Sequence, residues 1–133
     1  MPKRIHHVAL VLRDLDSGIA FYRDKLGLHL DKVETVEEQG VKAALLSLDN
    51  AEIELLEPLS PESGVGRFLE RRGEGLHHVC FTTPDIRAEI ADLKAREVEL
   101  LDQEPRYGLA GLICFLHPRA HAGVLVELVE MPD

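Results

Sequence analysis

His6-His7-Val8-Ala9-Leu10 returns 71 positions later as His77-His78-Val79-Cys80-Phe81. The echo continues at the same spacing, Asp14-Leu15 as Asp85-Ile86 and Ile19-Ala20 as Ile90-Ala91. Glu54-Leu55-Leu56-Glu57 then matches Glu127-Leu128-Val129-Glu130, 73 positions on. Histidine opens each half and glutamate closes it. An internal duplication of this kind predicts a pseudo-twofold assembly in which two histidines and two glutamates meet on the axis. Such a meeting is a metal site written into a repeat.

The rest of the chain falls into place around the repeat. Residues 4–12 are rich in Val, Leu and Ile and read as a strand. Asp14 or Asp16 caps a helix running through Leu26, with Leu15, Ile19, Tyr22 and Leu26 on one face and Gly27 as its stop. Strands follow at Leu28 to Val36, Val41 to Leu48 and Glu52 to Glu57, the last after an Asp49-Asn50 turn. The second half repeats the order, with a strand at 76–83, a helix from Asp85 to Arg96, and strands near 98–103, 112–117 and 123–130. The expected fold is therefore α+β, two tandem β-α-β-β-β modules at about 1–58 and 76–133. They pack as a single domain through a connection over 59–75, helical from Ser63 to Arg72.

Composition narrows the partners. A chain of 133 residues is long enough for one core, and its formal charge of −9 argues against nucleic acid, whose phosphates require a basic surface. An anionic ligand must instead find a local basic pocket. No apolar run approaches the ~18 residues of a spanning helix, so no membrane partner is expected. Neither a secretion nor an import signal is present, which makes the cytoplasm the expected compartment. Cys80 and Cys114 lie in apolar runs and read as reduced, buried thiols.

Side-chain alternation selects one histidine from each pair. His7, Ala9 and Val11 share one face of the first strand, opposite His6, Val8, Leu10 and Leu12. In the repeat, His78, Cys80 and Thr82 oppose His77, Val79, Phe81 and Thr83. The bulkier faces suit packing under a helix, and the smaller ones suit a cavity that admits a ligand. Glu54 and Glu127 sit mid-strand among residues that favour burial, whereas Glu57 and Glu130 lie at strand ends near Pro58 and Pro132, close to solvent. Alone, each His would read as a surface or core residue and each Glu as part of a solvated face. Their coincidence in both halves points to His7, Glu54, His78 and Glu127 as ligands. Two imidazoles and two carboxylates suit borderline divalent ions such as Co²⁺, Mn²⁺, Ni²⁺, Zn²⁺ or Fe²⁺. Such an ion can hold a bidentate substrate and act as a Lewis acid, while a nearby carboxylate moves a carbon-bound proton.

At this point the sequence resembles the vicinal oxygen chelate superfamily. More narrowly, it is similar to the methylmalonyl-CoA epimerase family along nearly its whole length. The matching stretches are His7-Val8-Ala9, Phe21-Tyr22-Arg23-Asp24 with Leu26-Gly27-Leu28, Glu38-Gln39-Gly40-Val41-Lys42 and Glu52 to Pro58. They continue with Phe68-Leu69-Glu70, Gly73-Glu74-Gly75-Leu76-His77-His78, Phe115-Leu116-His117-Pro118 and Gly123 to Leu128. The resemblance implies a glyoxalase-like open barrel around one divalent metal, with Co²⁺ favoured and Mn²⁺, Ni²⁺ or Zn²⁺ as alternatives. The family's ligands fall on His7, Glu54, His78 and Glu127. It also implies interconversion of (R)- and (S)-methylmalonyl-CoA by proton exchange at C2 through a metal-stabilised enolate, in a homodimer. Glu127 is the acid/base that the resemblance nominates, because metal-bound glutamate has that role in related enzymes. For the second acid/base, some relatives carry a glutamate where this chain has Ala43, and Glu52 is a weak substitute. Arg119, Lys42 and Arg106 are the cations available for CoA phosphates.

The alternatives differ at named positions. Glyoxalase I shares the ligand order but typically has an arginine four residues after its first ligand, where this chain has Val11. It also tends to carry a DPDGY-like turn where His117 to Gly123 stand here. An extradiol dioxygenase leaves Glu54 without a role. A metal-free drug-binding relative needs none of the four ligands, and a measurement of bound metal separates it from the enzymes.

Overall fold

Asp14 decides where the first strand becomes a helix. In the computed structural model, which describes residues 1–132, β1 (Ile5–Val11) gives way to α1 (Leu15–Ile19), and the Asp14 carboxylate accepts from Asp16 N at 3.1 Å. Of the two aspartates, Asp14 is the cap. Asp85 repeats the device before α3 (Ile86–Ala95), accepting from Ala88 N at 3.1 Å. A carboxylate here satisfies an orphan amide and meets the positive end of the helix.

The chain divides into two compact units. The first module, His7–His77, holds β1, α1, β2 (His29–Val36), β3 (Val41–Ser47), β4 (Glu52–Pro58) and α2 (Gly64–Arg72). Its strand order is β2-β3-β4-β1, with β4 and β1 parallel and the other pairs antiparallel. The second module takes residues 1–6 and the chain from His78 onward. It contains β5 (Gly75–Thr83, whose first residues lie in the first module), α3, β6 (Arg106–Tyr107), β7 (Leu112–Leu116) and β8 (Val126–Glu130). The order is β5-β8-β7-β6, with β5 and β8 parallel. Residues 3 and 4 complete this module. Lys3 N donates to Thr82 O at 2.9 Å, and Thr82 N donates to Arg4 O at 2.8 Å. The β-α-β-β-β order expected of each half is present twice.

Alternation assigns the two sheet faces as the sequence suggests. In the first module Leu55, Ala44 and Leu46 pack under Leu15 and Ile19 of α1, and in the second Leu128 and Cys114 pack under Ile86 and Ile90 of α3. A fully buried leucine such as Leu55 contributes about 1.5–3 kcal/mol, so these clusters hold the helices to the sheets. The opposite face of the first module carries Ala9, Val41, Ala43 and Leu56, covered by Val65 of α2. Gly66 lets α2 approach that closely, because a Cβ there would strike the backbone of Ser60 and Pro61.

Three expectations are corrected. First, the helix through Leu26 turns π-helical over Ala20–Lys25, closing with Leu26 N to Phe21 O at 3.0 Å. The wider turn rotates the chain less per residue, so Leu26 leaves the Leu15–Ile19–Tyr22 face and stands 58% exposed. Second, the strand expected near 98–103 lies at Arg106–Tyr107, and Leu100 makes only a single bridge to Leu116. The ladder fails because Leu101 N and Asp102 N both spend their donors on Phe115 O. The Asp102 carboxylate then takes Phe115 N at 2.8 Å, where a strand carbonyl would stand.

Third, Glu57 and Glu130 are more than solvated strand ends. Glu57 accepts from Leu15 N, and Glu130 from Ile86 N, both at 3.0 Å. Each module's last strand thus caps its own helix at the first turn. Glu57→Ala and Glu130→Ala are each expected to cost about 1–2 kcal/mol. At this chain length that is a fall of roughly 3–6 °C in Tm per variant, nearly additive because the helices differ. Differential scanning calorimetry of both variants and the double checks it, and a shift under one degree refutes the capping role.

Candidate functional site

In the first module the parallel register sets Ala9 opposite Glu54. Direct partners share a face, so His7, two residues earlier, is the diagonal neighbour of Glu54 on that face. Ala9 has no bulk with which to fend off the carboxylate, and His7 Nε2 lies 3.8 Å from Glu54 Oε2. The second module repeats the register. Cys80 stands opposite Glu127, and His78, two residues earlier, lies with Nε2 3.0 Å from Glu127 Oε1. Small residues at positions 9 and 80, both wholly buried, are thus part of what forms the pairs.

The four side chains are scarcely wet: His7 is 6% exposed, Glu54 8%, His78 5% and Glu127 7%. Removing a carboxylate from water costs several kcal/mol unless a partner compensates. Two carboxylates kept at this depth beside imidazoles are not ordinary surface groups. Each pair offers one nitrogen and one oxygen donor, a set that fits a borderline divalent ion.

The surroundings of the pairs come from residues to which the sequence assigned other roles or none. Phe115, the β7 partner of Glu127, meets the His78 ring edge-on at 5.5 Å between centroids. The Arg106 guanidinium lies over Phe115 at 5.5 Å from its centroid and is held by Asp102, with Nε to Oδ1 at 3.1 Å. The available signal was the FLHP stretch, which places Phe115 in the strand beside β8. In the first module His77 packs its ring against Phe68 of α2 at 4.7 Å, and Arg72 covers the same phenyl ring. His77 thus has a packing partner, as alternation suggested, while His6 is half-buried.

The remaining candidates separate clearly. Glu52 is the direct register partner of His7, half-buried on the Glu54 face. Lys42 pairs with Glu57 and Thr35 and therefore points to the helix-covered side of the sheet. Arg119 is engaged by Glu99, Nη2 to Oε2 at 2.7 Å. That bond holds the Glu99 carboxyl below the usual carboxylate range and raises the guanidinium. Ala43 is fully buried and supplies no acid. Both cysteines are buried, and neither is in a disulfide among the described residues. Burial, reinforced by Asp102, Glu127 and Glu89, pushes the Cys114 thiol up to about 12, so it is neither a nucleophile nor a ready ligand at neutral pH.

Residues 6–115 match the family model described as the Glyoxalase/Bleomycin resistance protein/Dioxygenase superfamily. The mitochondrial methylmalonyl-CoA epimerase of Mus musculus is 39% identical over 129 residues, 96% of this chain and 72% of that protein. The ethylmalonyl-CoA/methylmalonyl-CoA epimerase of Cereibacter sphaeroides is 37% identical over 131 residues, 96% of this chain and 98% of that one. Among solved structures, a variant of Streptomyces coelicolor methylmalonyl-CoA epimerase in complex with 2-nitronate-propionyl-CoA superposes with a TM-score of 0.92. It is 39% identical and covers 100% of both chains. The glyoxalase-like α+β fold follows from that agreement.

Proposed function

From its place in the Glyoxalase/Bleomycin resistance protein/Dioxygenase superfamily, to which the chain belongs, we propose that it is a divalent-metal-dependent methylmalonyl-CoA epimerase. The observation that carries the proposal is the buried His–Glu pair built twice with one register, His7 with Glu54 and His78 with Glu127. In this reading the two pairs together hold one ion. When bound, such an ion supplies Lewis acidity to the oxygens flanking an acidic carbon.

The chain's own residues do the rest. Glu127 takes the proton from C2 of one epimer. His78, 3.0 Å away, fixes the direction of its carboxylate. Loss of the proton leaves C2 trigonal, and return from the other side inverts it. Glu52, on the Glu54 face, is the residue we assign to that second side. Positioned proton transfer of this kind supplies about 10²–10⁴-fold in rate. The wholly buried Ala9, Val11 and Cys80 line the same sheet faces with apolar surface and keep water from the carboxylates. The Streptomyces coelicolor relative supports this chemistry, because a nitronate holds the equivalent carbon planar with negative charge beside it.

Proton NMR of (2R)-methylmalonyl-CoA with the metal-loaded protein in D2O tests the proposal. Deuterium is expected to enter C2 as stereochemical purity is lost. Isomerisation of a glutathione hemithioacetal with no exchange at C2 would overturn it in favour of glyoxalase I chemistry.

A further inference from the structure

We infer that Arg106 recognises the free carboxylate of a malonyl-type substrate rather than a CoA phosphate; this rests on the epimerase reading. Three cations were named for anionic parts of the ligand. Lys42 stands opposite Glu57 in the strand register, on the face packed under the first helix, and Arg119 gives its guanidinium to Glu99 at 2.7 Å. Arg106 is placed differently. Its charge lies over the face of Phe115, and the same ring meets His78 edge-on, so the guanidinium and the imidazole are neighbours of one phenyl ring. That is the acyl end of a thioester bound at His78 and Glu127. The nucleotide phosphates lie at the far end of the pantetheine arm.

The side chain is also prepared for a second anion. Asp102 uses one carboxylate oxygen to accept from Arg106 Nε and the other to accept from Phe115 N. This fixes the stem and the ring against each other. Among the described residues its side-chain hydrogen bond runs from Nε, which leaves the two Nη groups as a planar fork matched to a carboxylate. The side chain is 51% exposed, so the fork is within reach of an incoming ligand. In a chain of formal charge −9, with Glu127, Asp102 and Glu89 in this module, a malonyl carboxylate needs such a cation to approach. An acyl thioester without the second carboxylate draws nothing from it. Arg106 is thus a specificity residue for 2-carboxyacyl thioesters.

The test compares wild type, Arg106→Gln and Arg106→Lys as metal-loaded proteins, with metal content and far-UV circular dichroism recorded for each. Binding of methylmalonyl-CoA and of free CoA is measured by calorimetry, and C2 exchange by NMR. For Arg106→Gln we expect affinity for methylmalonyl-CoA to fall at least tenfold and KM to rise in step, with metal content and affinity for free CoA unchanged. Arg106→Lys keeps the charge without the fork and should fall in between. It also keeps the inference testable if the glutamine variant misfolds. An equal loss of affinity for free CoA would overturn the inference in favour of a phosphate contact, and unchanged binding of both ligands would overturn it outright. Wild-type protein that neither binds methylmalonyl-CoA nor exchanges its C2 proton overturns the epimerase reading and this inference with it. Wild-type exchange beside an unaffected glutamine variant overturns the inference alone.

Discussion

Alanine in place of His78 is expected to strip the divalent ion and abolish C2 exchange, while alanine in place of His77 leaves both intact. The two residues are adjacent, and their side chains have opposite employment. His78 is 5% exposed with Nε2 at 3.0 Å from Glu127, whereas His77 packs against Phe68. Loss of an outer partner of a ligand already costs about 10–100-fold in metal affinity, so removal of a ligand itself should exceed ~100-fold. His77→Ala removes one edge-on ring contact, about 0.5–1.5 kcal/mol of stability. Metal content by mass spectrometry after extensive dialysis decides the matter. Equal occupancy in both variants would mean that the assignment of faces is wrong.

Glutamine in place of Glu127 should separate chemistry from binding. The side chain keeps its shape and an oxygen donor beside His78 but can no longer accept a proton. We expect kcat to fall by about 10²–10⁴-fold, the share that a positioned base supplies, with KM changed only a few-fold. On the proposed assignment of Glu52 to the other side of C2, exchange from the two epimers should be depressed unequally, and Glu52→Gln should reverse the inequality. Metal occupancy is measured alongside. A fully loaded Glu127→Gln protein that exchanges both epimers at wild-type rate would remove Glu127 from the reaction.

Much of this was legible because the duplication made weak signals confirm one another. A histidine two residues before a small residue, with a glutamate far downstream, means little once. Found as His7, Ala9 and Glu54 and again as His78, Cys80 and Glu127, it specifies register as well as residues. Local periodicity also placed the helices and most strands within a residue or two. What escaped depended on side chains replacing backbone. Asp102 occupies the hydrogen-bonding place of a strand residue and so displaces β6 to Arg106–Tyr107. Glu57 and Glu130 cap helices that begin more than forty residues earlier, and no local pattern records such a partnership. The π-helical turn at Ala20–Lys25 was equally hidden, since its residues read as ordinary helix. Arg106 stood in the sequence as one of three cations for CoA phosphates, and its seat over Phe115 is set by the strand pairing.

The pairing of Arg4 with Thr82, 78 positions apart, has a consequence for biosynthesis. Residues 3 and 4 are made long before the rest of the module to which they belong. At about 5–20 residues per second, Arg4 waits on the order of 4–16 s for Thr82 to be made. Meanwhile the chain from His7 to His77 can close on itself, because Glu57 reaches back to Leu15 within the part already synthesised. Translation thus imposes an order of assembly that dilution from denaturant does not. Refolding of the 133 residues releases both modules at once, with two histidine-led strands and two glutamate-bearing strands of similar sequence present together. The repeat thereby also presents each histidine-led strand with two candidate mates of similar sequence, of which β1 takes β4 and β5 takes β8.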